Sequence, residues 1–276
     1  MSFLQSPVYP FFFGDKPRII GHRGAMGEAP ENTLPSFQKA LVDGASLLEL
    51  DVQGSSEGEA VIIHDETLER TTNGRGLVRE QSLQQLKALD AGYQFSLDEG
   101  KRHPFRGLHV EIPTLKEFFL MFPQVKSIVE IKQSRPPIVE RVFNVIHELG
   151  KEEQVLLATE HDEIMTAIRR EVLKKANGIA TGFSFGEAVA FFRWATRDKK
   201  SDYTPPGQAL QIPWKYQGET LVTQETVSAA HDMGVEIFVW TVNEVEAMAD
   251  LLRLEVDGII TDYPARRRQI ALNKTA

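Results

Sequence analysis

Between Arg18 and Gly76 the chain sets two histidines, an arginine and two carboxylates at or just beyond short apolar runs. In RIIGHRG the isoleucines give way to His22, Arg23 and Gly24. In LLELDV, Glu49 and Asp51 stand two residues apart, and AVIIHD runs out at His64. If LLELDV is a strand, its side-chain period of two puts both carboxylates on one face and Leu48, Leu50 and Val52 on the other. Two adjacent acids repel, and neither gains from burial without a cation. Further along, KSIVEIK sets Ile128, Glu130 and Lys132 on one face, opposite Val129 and Ile131. Gathered in one pocket, Glu49, Asp51 and Glu130 would call for one hard divalent cation bound through oxygen, Mg²⁺ or Ca²⁺. A plain ion pair of Glu130 with Lys132 is the competing use of those two. The histidines, with an ordinary pKa of about 6.5, suit proton exchange near neutrality.

The elements that must hold these groups follow in a regular order. After the strand at Arg18, Thr33 can cap a helix whose apolar face is Leu34, Phe37 and Leu41, ended by Gly44. The strand 47–52 follows. The linker GSSEGE is too short for a crossover helix, so AVIIHD should fold back as a hairpin over the mouth of the sheet. Residues 65–112 lack a strand–helix rhythm, with only SLQQLKALDAG reading as helix. Thr114 and Glu117 then form a capping box, and Pro123 stops that helix. Strand KSIVEIK leads into helix 137–149, strand 154–159, helix 162–175, a strand in GIATGF and a helix at about 186–197. ALQIPW, helix 223–233, VEIFVWTVN, a helix 244–254 capped by Asn243, and VDGIITD complete the series.

With the hairpin set aside, eight strands alternate with helices. That is the pattern of an α/β (β/α)8 TIM barrel with an insertion after the second strand, and 1–276 reads as a single domain. Barrels of this kind build their sites at the C-terminal ends of the strands, where His22, Glu49, Asp51, Glu130 and Lys132 all fall. Trp240 ends a strand too and is expected to face the same pocket.

Composition bounds the partners. A formal net charge of −8 over 276 residues argues against nucleic acid. The absence of cysteine excludes disulfides and thiolate catalysis and leaves metal binding to His, Asp and Glu. MSFLQSPVYPFFFGDKP has no basic region and two interrupting prolines, so it reads neither as a signal peptide nor as a span, and no stable membrane insertion is expected. Phe11, Phe12 and Phe13 are expected to pack on the barrel's closed end, and the location is expected to be cytoplasmic.

The pieces GHRG (21–24), APENTLPSF (29–37), LELDV (48–52), IIHDETLERTTNGRG (62–76), VEIK (129–132), VWTVN (239–243) and IITDYP (259–264) together resemble the glycerophosphodiester phosphodiesterase family. The resemblance runs over most of the chain in the family's order. It implies hydrolysis of a small-molecule glycerophosphodiester to glycerol 3-phosphate and an alcohol, with residues 65–112 as the family's insertion. It further implies that His22 and His64 are the acid–base pair, and that Arg23 and Lys132 meet the phosphate. Trp240 would lie against the glycerol carbons. Where relatives carry a Ser-Phe-like strand ending, this chain reads Ala158-Thr159-Glu160-His161, and Glu160 is a candidate for recognising a cationic head group. Two rival readings use the same barrel: a lysophospholipase D-like or phosphatidyl-transferring enzyme with an acyl groove at Phe191, Phe192 and Trp194, and a non-catalytic phosphate-ester binding protein.

Overall fold

The computed structural model describes residues 9–175, 178–196 and 203–272. Strand β1 (Arg18–Gly21) leads to helix α1 (Leu34–Val42), β2 (Leu47–Gly54) and β3 (Ala60–Ile62). The short α2 (Leu83–Lys87) and then α3 (Leu115–Met121) precede β4 (Ser127–Ile131), α4 (Val139–Glu148), β5 (Val155–Ala158) and α5 (Asp162–Lys175). There follow β6 (Ala180–Thr181), α6 (Phe185–Ala195), β7 (Ala209–Pro213), and the small strands β8 (Lys215–Tyr216) and β9 (Glu219–Thr220). Helix α7 (Gln224–Asp232), β10 (Glu236–Trp240), α8 (Val245–Arg253), β11 (Gly258–Thr261) and α9 (Arg267–Leu272) complete the described chain.

Parallel pairing runs β6-β5-β4-β2-β1-β11-β10-β7, and a parallel bridge between Gly182 and Ala209 joins its two ends. Among the described residues these eight strands make a nearly closed barrel with helices between them. β3 stands apart: it pairs antiparallel with β2, Val52 opposite Ile62, because residues 55–59 are too few for a crossover. The helix starts follow local chemistry. The Thr33 hydroxyl caps α1, and Thr114 with Glu117 forms the reciprocal box on α3.

Strand alternation divides the apolar residues. Leu48, Leu50, Val52, Val129 and Ile131 face outward to the helices. Ile20, Leu47, Ile128, Leu156, Phe238 and Ile260 fill the interior, where Phe11 and the half-buried Phe12 join them. The third phenylalanine does not: Phe13 is 59% exposed, because the short turn 10–12 has already directed the chain outward. At this closed end the charges are matched. Arg18 donates to Glu236 at 2.6 Å, and Lys16 reaches both Glu236 (2.7 Å) and Asp257 (2.6 Å).

Residues between β3 and α3 gather their own small core, with Ile63, Leu68, Val78, Leu86, Val110 and Ile112 buried together. One expectation is corrected, a rival reading loses its groove, and one helix bound shifts. Asn243 does not cap α8, whose N-cap is Glu244 without a side-chain bond; Asn243 binds the end of β11 instead. Phe191, Phe192 and Trp194 form no groove at the barrel mouth. They lie with outward-facing Leu210, Ile237 and Val239 in the layer between barrel and helices, and Trp194 stacks on Tyr203. The helix expected over 186–197 ends at Ala195, and residue 197 lies outside the described residues. The β8–β9 hairpin was not anticipated; its turn takes positive φ at Gln217 (51°) and Gly218 (88°). No described helix is long and apolar enough to cross a membrane.

Candidate active site

On five strands the inward row, continued past its last core residue, delivers a functional side chain to the C-terminal end of the barrel. Ile20 is followed two residues on by His22, Leu47 by Glu49 and then Asp51, Ile128 by Glu130 and then Lys132, Ile260 by Asp262, and Phe238 by Trp240. In the β2–β4 register Asp51 stands directly beside Glu130. Carboxylate oxygens of Glu49, Asp51 and Glu130 lie within 4.8 Å of one another. His64 arrives from the hairpin: the Ile63 amide donates to the Asp51 carbonyl at 3.1 Å, and Gln53 Nε2 donates to the His64 carbonyl at 3.0 Å. Trp240 is 44% exposed at the mouth.

The turn after β1 is unusual backbone. Arg23 has φ 49° and Gly24 φ 87°. A Cβ on Gly24 would stand 2.6 Å from the Ser36 carbonyl carbon, so only glycine fits there. The left-handed Arg23 is held by its own amide donating to Glu49 Oε2 (2.9 Å) and by the Asn32 amide and Ser36 hydroxyl on its carbonyl (3.0 Å each). That pose sends the guanidinium between Glu31 (2.9 Å) and Asp51 (3.1 Å). Lys132 Nζ lies 2.7 Å from Glu130 and 3.4 Å from Asp51.

The pocket's electrostatics are lopsided. Burial and the neighbouring Asp51 push Glu49 up to about 7. Burial opposes charge on Asp51 as well, but Lys132 and Arg23 outweigh it and hold that carboxyl below its ordinary range. Burial raises Glu130, with Asp51 adding to the effect and Lys132 opposing it. Three buried or half-buried carboxylates thus share cations that do not neutralise them all. An all-oxygen set with unmatched negative charge fits a hard divalent cation.

Both histidines are oriented by carboxylates. His22 Nδ1 is 2.6 Å from Asp262 Oδ1, and His64 Nδ1 is 2.6 Å from Asp65 Oδ1. Burial works against a proton on His22, yet the Asp262 hydrogen bond and the Glu49 charge prevail and raise its pKa. Asp262 is itself fixed by Asn243 Nδ2 at 2.7 Å.

All eight residues singled out in the sequence therefore lie at one end of the barrel. Several partners escaped sequence reading. Asp262 had a usable signal, since it extends the inward parity of the last strand just as Asp51 does on the second. Asp65 follows His64 directly. Asn32 lies within APENTLPSF, but nothing local shows its role: it takes φ 57°, and its side-chain amide both donates to Asp51 Oδ2 (2.8 Å) and accepts from the Asp51 amide (3.2 Å).

Residues 22–266 match the model of the glycerophosphoryl diester phosphodiesterase family. A glycerophosphodiester phosphodiesterase from Caldanaerobacter subterraneus subsp. tengcongensis is 33% identical over 254 residues, which cover 90% of this chain and 95% of the relative. Among solved structures, a glycerophosphoryl diester phosphodiesterase domain from Mycobacterium tuberculosis shares the fold with a TM-score of 0.82 at 22% identity, over 92% of this chain and 99% of that one. A phosphodiesterase from Oleispira antarctica, solved with its product sn-glycerol-3-phosphate, gives a TM-score of 0.69 at 25% identity, over 94% and 97% of the two chains.

Proposed function

We infer the function from one premise: the chain belongs to the glycerophosphoryl diester phosphodiesterase family. It is an enzyme that hydrolyses glycerophosphodiesters, releasing glycerol 3-phosphate and the alcohol. The observation that carries this reading is the meeting, at one barrel end, of the Glu49–Asp51–Glu130 trio with two histidines that are each bonded through Nδ1 to a carboxylate.

A phosphodiester resists attack because its own negative oxygens repel nucleophiles. Glu49, Asp51 and Glu130 would hold one divalent cation, Mg²⁺ or Ca²⁺, whose chemistry when bound is to stabilise charge developing on phosphoryl oxygen. Arg23 and Lys132 add positive charge from the protein side, Arg23 through a fork suited to phosphate oxygens. Each histidine has committed Nδ1, so Nε2 is the atom left to pass a proton. One imidazole takes a proton from the attacking oxygen, and the other returns one to the departing alcohol. Trp240 offers an aromatic plane to the glycerol carbons. A purely binding module would have no use for two such oriented imidazoles.

The test is to follow glycerol 3-phosphate release from a panel of glycerophosphocholine, glycerophosphoethanolamine, glycerophosphoglycerol and glycerophosphoinositol. Release from none of them would overturn the reading.

The head group meets the rim at Glu160. Ala158, the last residue of β5, pairs with Glu130, and Glu160 follows it two residues later. Its side chain is 67% exposed, and its charge is near enough to act on Glu130. An exposed carboxylate contributes at most about 1 kcal/mol to a cation. Glu160→Gln is therefore expected to lower the preference for glycerophosphocholine over glycerophosphoglycerol, as a ratio of kcat/KM, by about 2–5-fold. An unchanged ratio would remove Glu160 from specificity.

A further inference from the structure

Arg70 belongs to neither the cation trio nor the two imidazoles, yet it makes more directed bonds than any group in them. It sits in the segment after β3. Its Nε donates to Asp65 Oδ2 at 2.5 Å and its Nη2 to Asp65 Oδ1 at 3.1 Å. On its other edge, Nη1 donates to Glu31 Oε2 at 2.6 Å and Nη2 to Glu31 Oε1 at 2.8 Å. One planar guanidinium therefore grips two carboxylates that come from different parts of the chain, the β1–α1 loop and the insertion.

Each carboxylate holds a functional group on its far side. Asp65 binds His64 Nδ1 at 2.6 Å, and Glu31 binds Arg23 Nη1 at 2.9 Å. Arg23 in turn faces Asp51. The path His64–Asp65–Arg70–Glu31–Arg23–Asp51 is continuous, and Arg70 is the residue that carries it from insertion to loop. Burial disfavours charge on Asp65, but the Arg70 and His64 hydrogen bonds hold its carboxyl down to about 2.

Stability does not explain this arrangement. The Arg70 side chain is 46% exposed, and an ion pair so open to water adds little to folding. The neighbouring backbone is secured by other means. Ile63 and Leu68 are buried, the Leu68 amide donates to the Gly76 carbonyl, and Thr72 Oγ1 donates to the Leu68 carbonyl. Losing Arg70 would leave the fold intact while freeing two side chains whose aim matters.

We propose that Arg70 is a positioning residue that locks the His64–Asp65 pair and the Arg23–Glu31 pair to one another, so that the imidazole just past the β3 hairpin and the guanidinium on the β1–α1 loop present a fixed geometry to the substrate phosphate. The proposal rests on the phosphodiesterase reading given above. Arginine is required because a lysine ammonium, even where it bridges two carboxylates as Lys16 does, is a point charge that cannot clasp each of them by both oxygens of a planar fork.

Arg70→Ala, Arg70→Lys and the double variant Arg70→Ala/His64→Ala test it, with glycerophosphocholine as substrate. Arg70→Ala is expected to lower kcat by about 10–10²-fold, the scale of an ångström-level misplacement, with Tm shifted by no more than a few degrees. Arg70→Lys is expected to recover only part of that loss, and it supplies the comparison should the alanine variant fold poorly. Because Arg70 acts in part through His64, its effect in the His64→Ala background should shrink at least threefold. A kcat within twofold of wild type, complete recovery with lysine, or an undiminished effect in the double variant would each overturn the proposal.

A second readout is independent of turnover. In ¹⁵N-histidine-labelled protein, His64 should show one fixed tautomer, and Arg70→Ala should mix the two. An unchanged His64 signal would also overturn it. If the wild type cleaves no glycerophosphodiester, the activity reading falls, and this spectrum alone decides whether the clamp exists.

Discussion

With His22 replaced by alanine, kcat is expected to fall by about 10²–10⁴-fold, the usual span for loss of a general acid or base, while KM changes little. His64→Ala is expected to do the same. The two residues occupy equivalent arrangements, each with Nδ1 on a carboxylate 2.6 Å away. The folded state should survive His22→Ala, because Asp262 keeps its bonds to Asn243 and the His22 amide keeps the Thr261 carbonyl. The Tm of each variant checks this, so that lost activity is not mistaken for lost structure. Activity near wild type in either variant would remove that histidine from the mechanism.

The same arrangement sets a direction for pH. Burial opposes the His22 proton, but Asp262 and Glu49 hold it more strongly and raise the pKa. Asp262→Asn keeps a hydrogen-bonding group and removes the charge. The limb of the kcat/KM profile governed by His22 should then move toward lower pH.

Chelation should abolish turnover altogether, and Mg²⁺ or Ca²⁺ added back should restore it. The donor set explains why. Glu49 and Asp51 are 4% and 1% exposed, and the pocket's own cations leave part of their charge unmatched. Arg23 and Lys132 suffice to keep Asp51 ionised but leave Glu49 raised to about 7. A divalent cation held there would compete with a proton on Glu49, and its affinity should rise as pH is raised through about 7. The sign for folding runs the other way. Between the ordinary carboxylate pKa and about 7, the folded protein binds more protons at Glu49 than the unfolded chain does. Glu49 by itself thus lowers metal-free stability as pH rises across that window. Cation at 100 times its Kd should add about 2.7 kcal/mol, a rise in Tm of roughly 5–10 °C. Full activity in chelated protein, with no thermal response to Mg²⁺ or Ca²⁺, would overturn the assignment of Glu49, Asp51 and Glu130 as ligands.

Much of this arrangement was legible in the chain. Strand parity alone placed Glu49 with Asp51, and Glu130 with Lys132, on one face of each strand, because alternation in a strand is a property of a few consecutive residues. The brevity of residues 55–59 was enough to exclude β3 from the barrel. Thr33, Thr114 and Glu117 marked helix starts by chemistry confined to one turn. Each of these signals reaches no further than about four residues.

What failed lay beyond that reach. Asn243 has the composition of a helix cap, but Asp262, nineteen residues later, claims its amide. Phe191, Phe192 and Trp194 suit an acyl groove or plain helix packing equally by composition, and only the side of the barrel on which α6 docks decides for packing. Asp262 meets His22 across a separation of 240 residues, a contact that exists only because β11 pairs with β1 when the barrel closes. Sequence by itself determined the types and order of the elements that make the barrel and the side chains that β1, β2 and β4 would carry to their upper ends. The tertiary structure decided which of those side chains share charge and protons, because burial and Coulomb forces depend on distance through space, and barrel closure sets that distance.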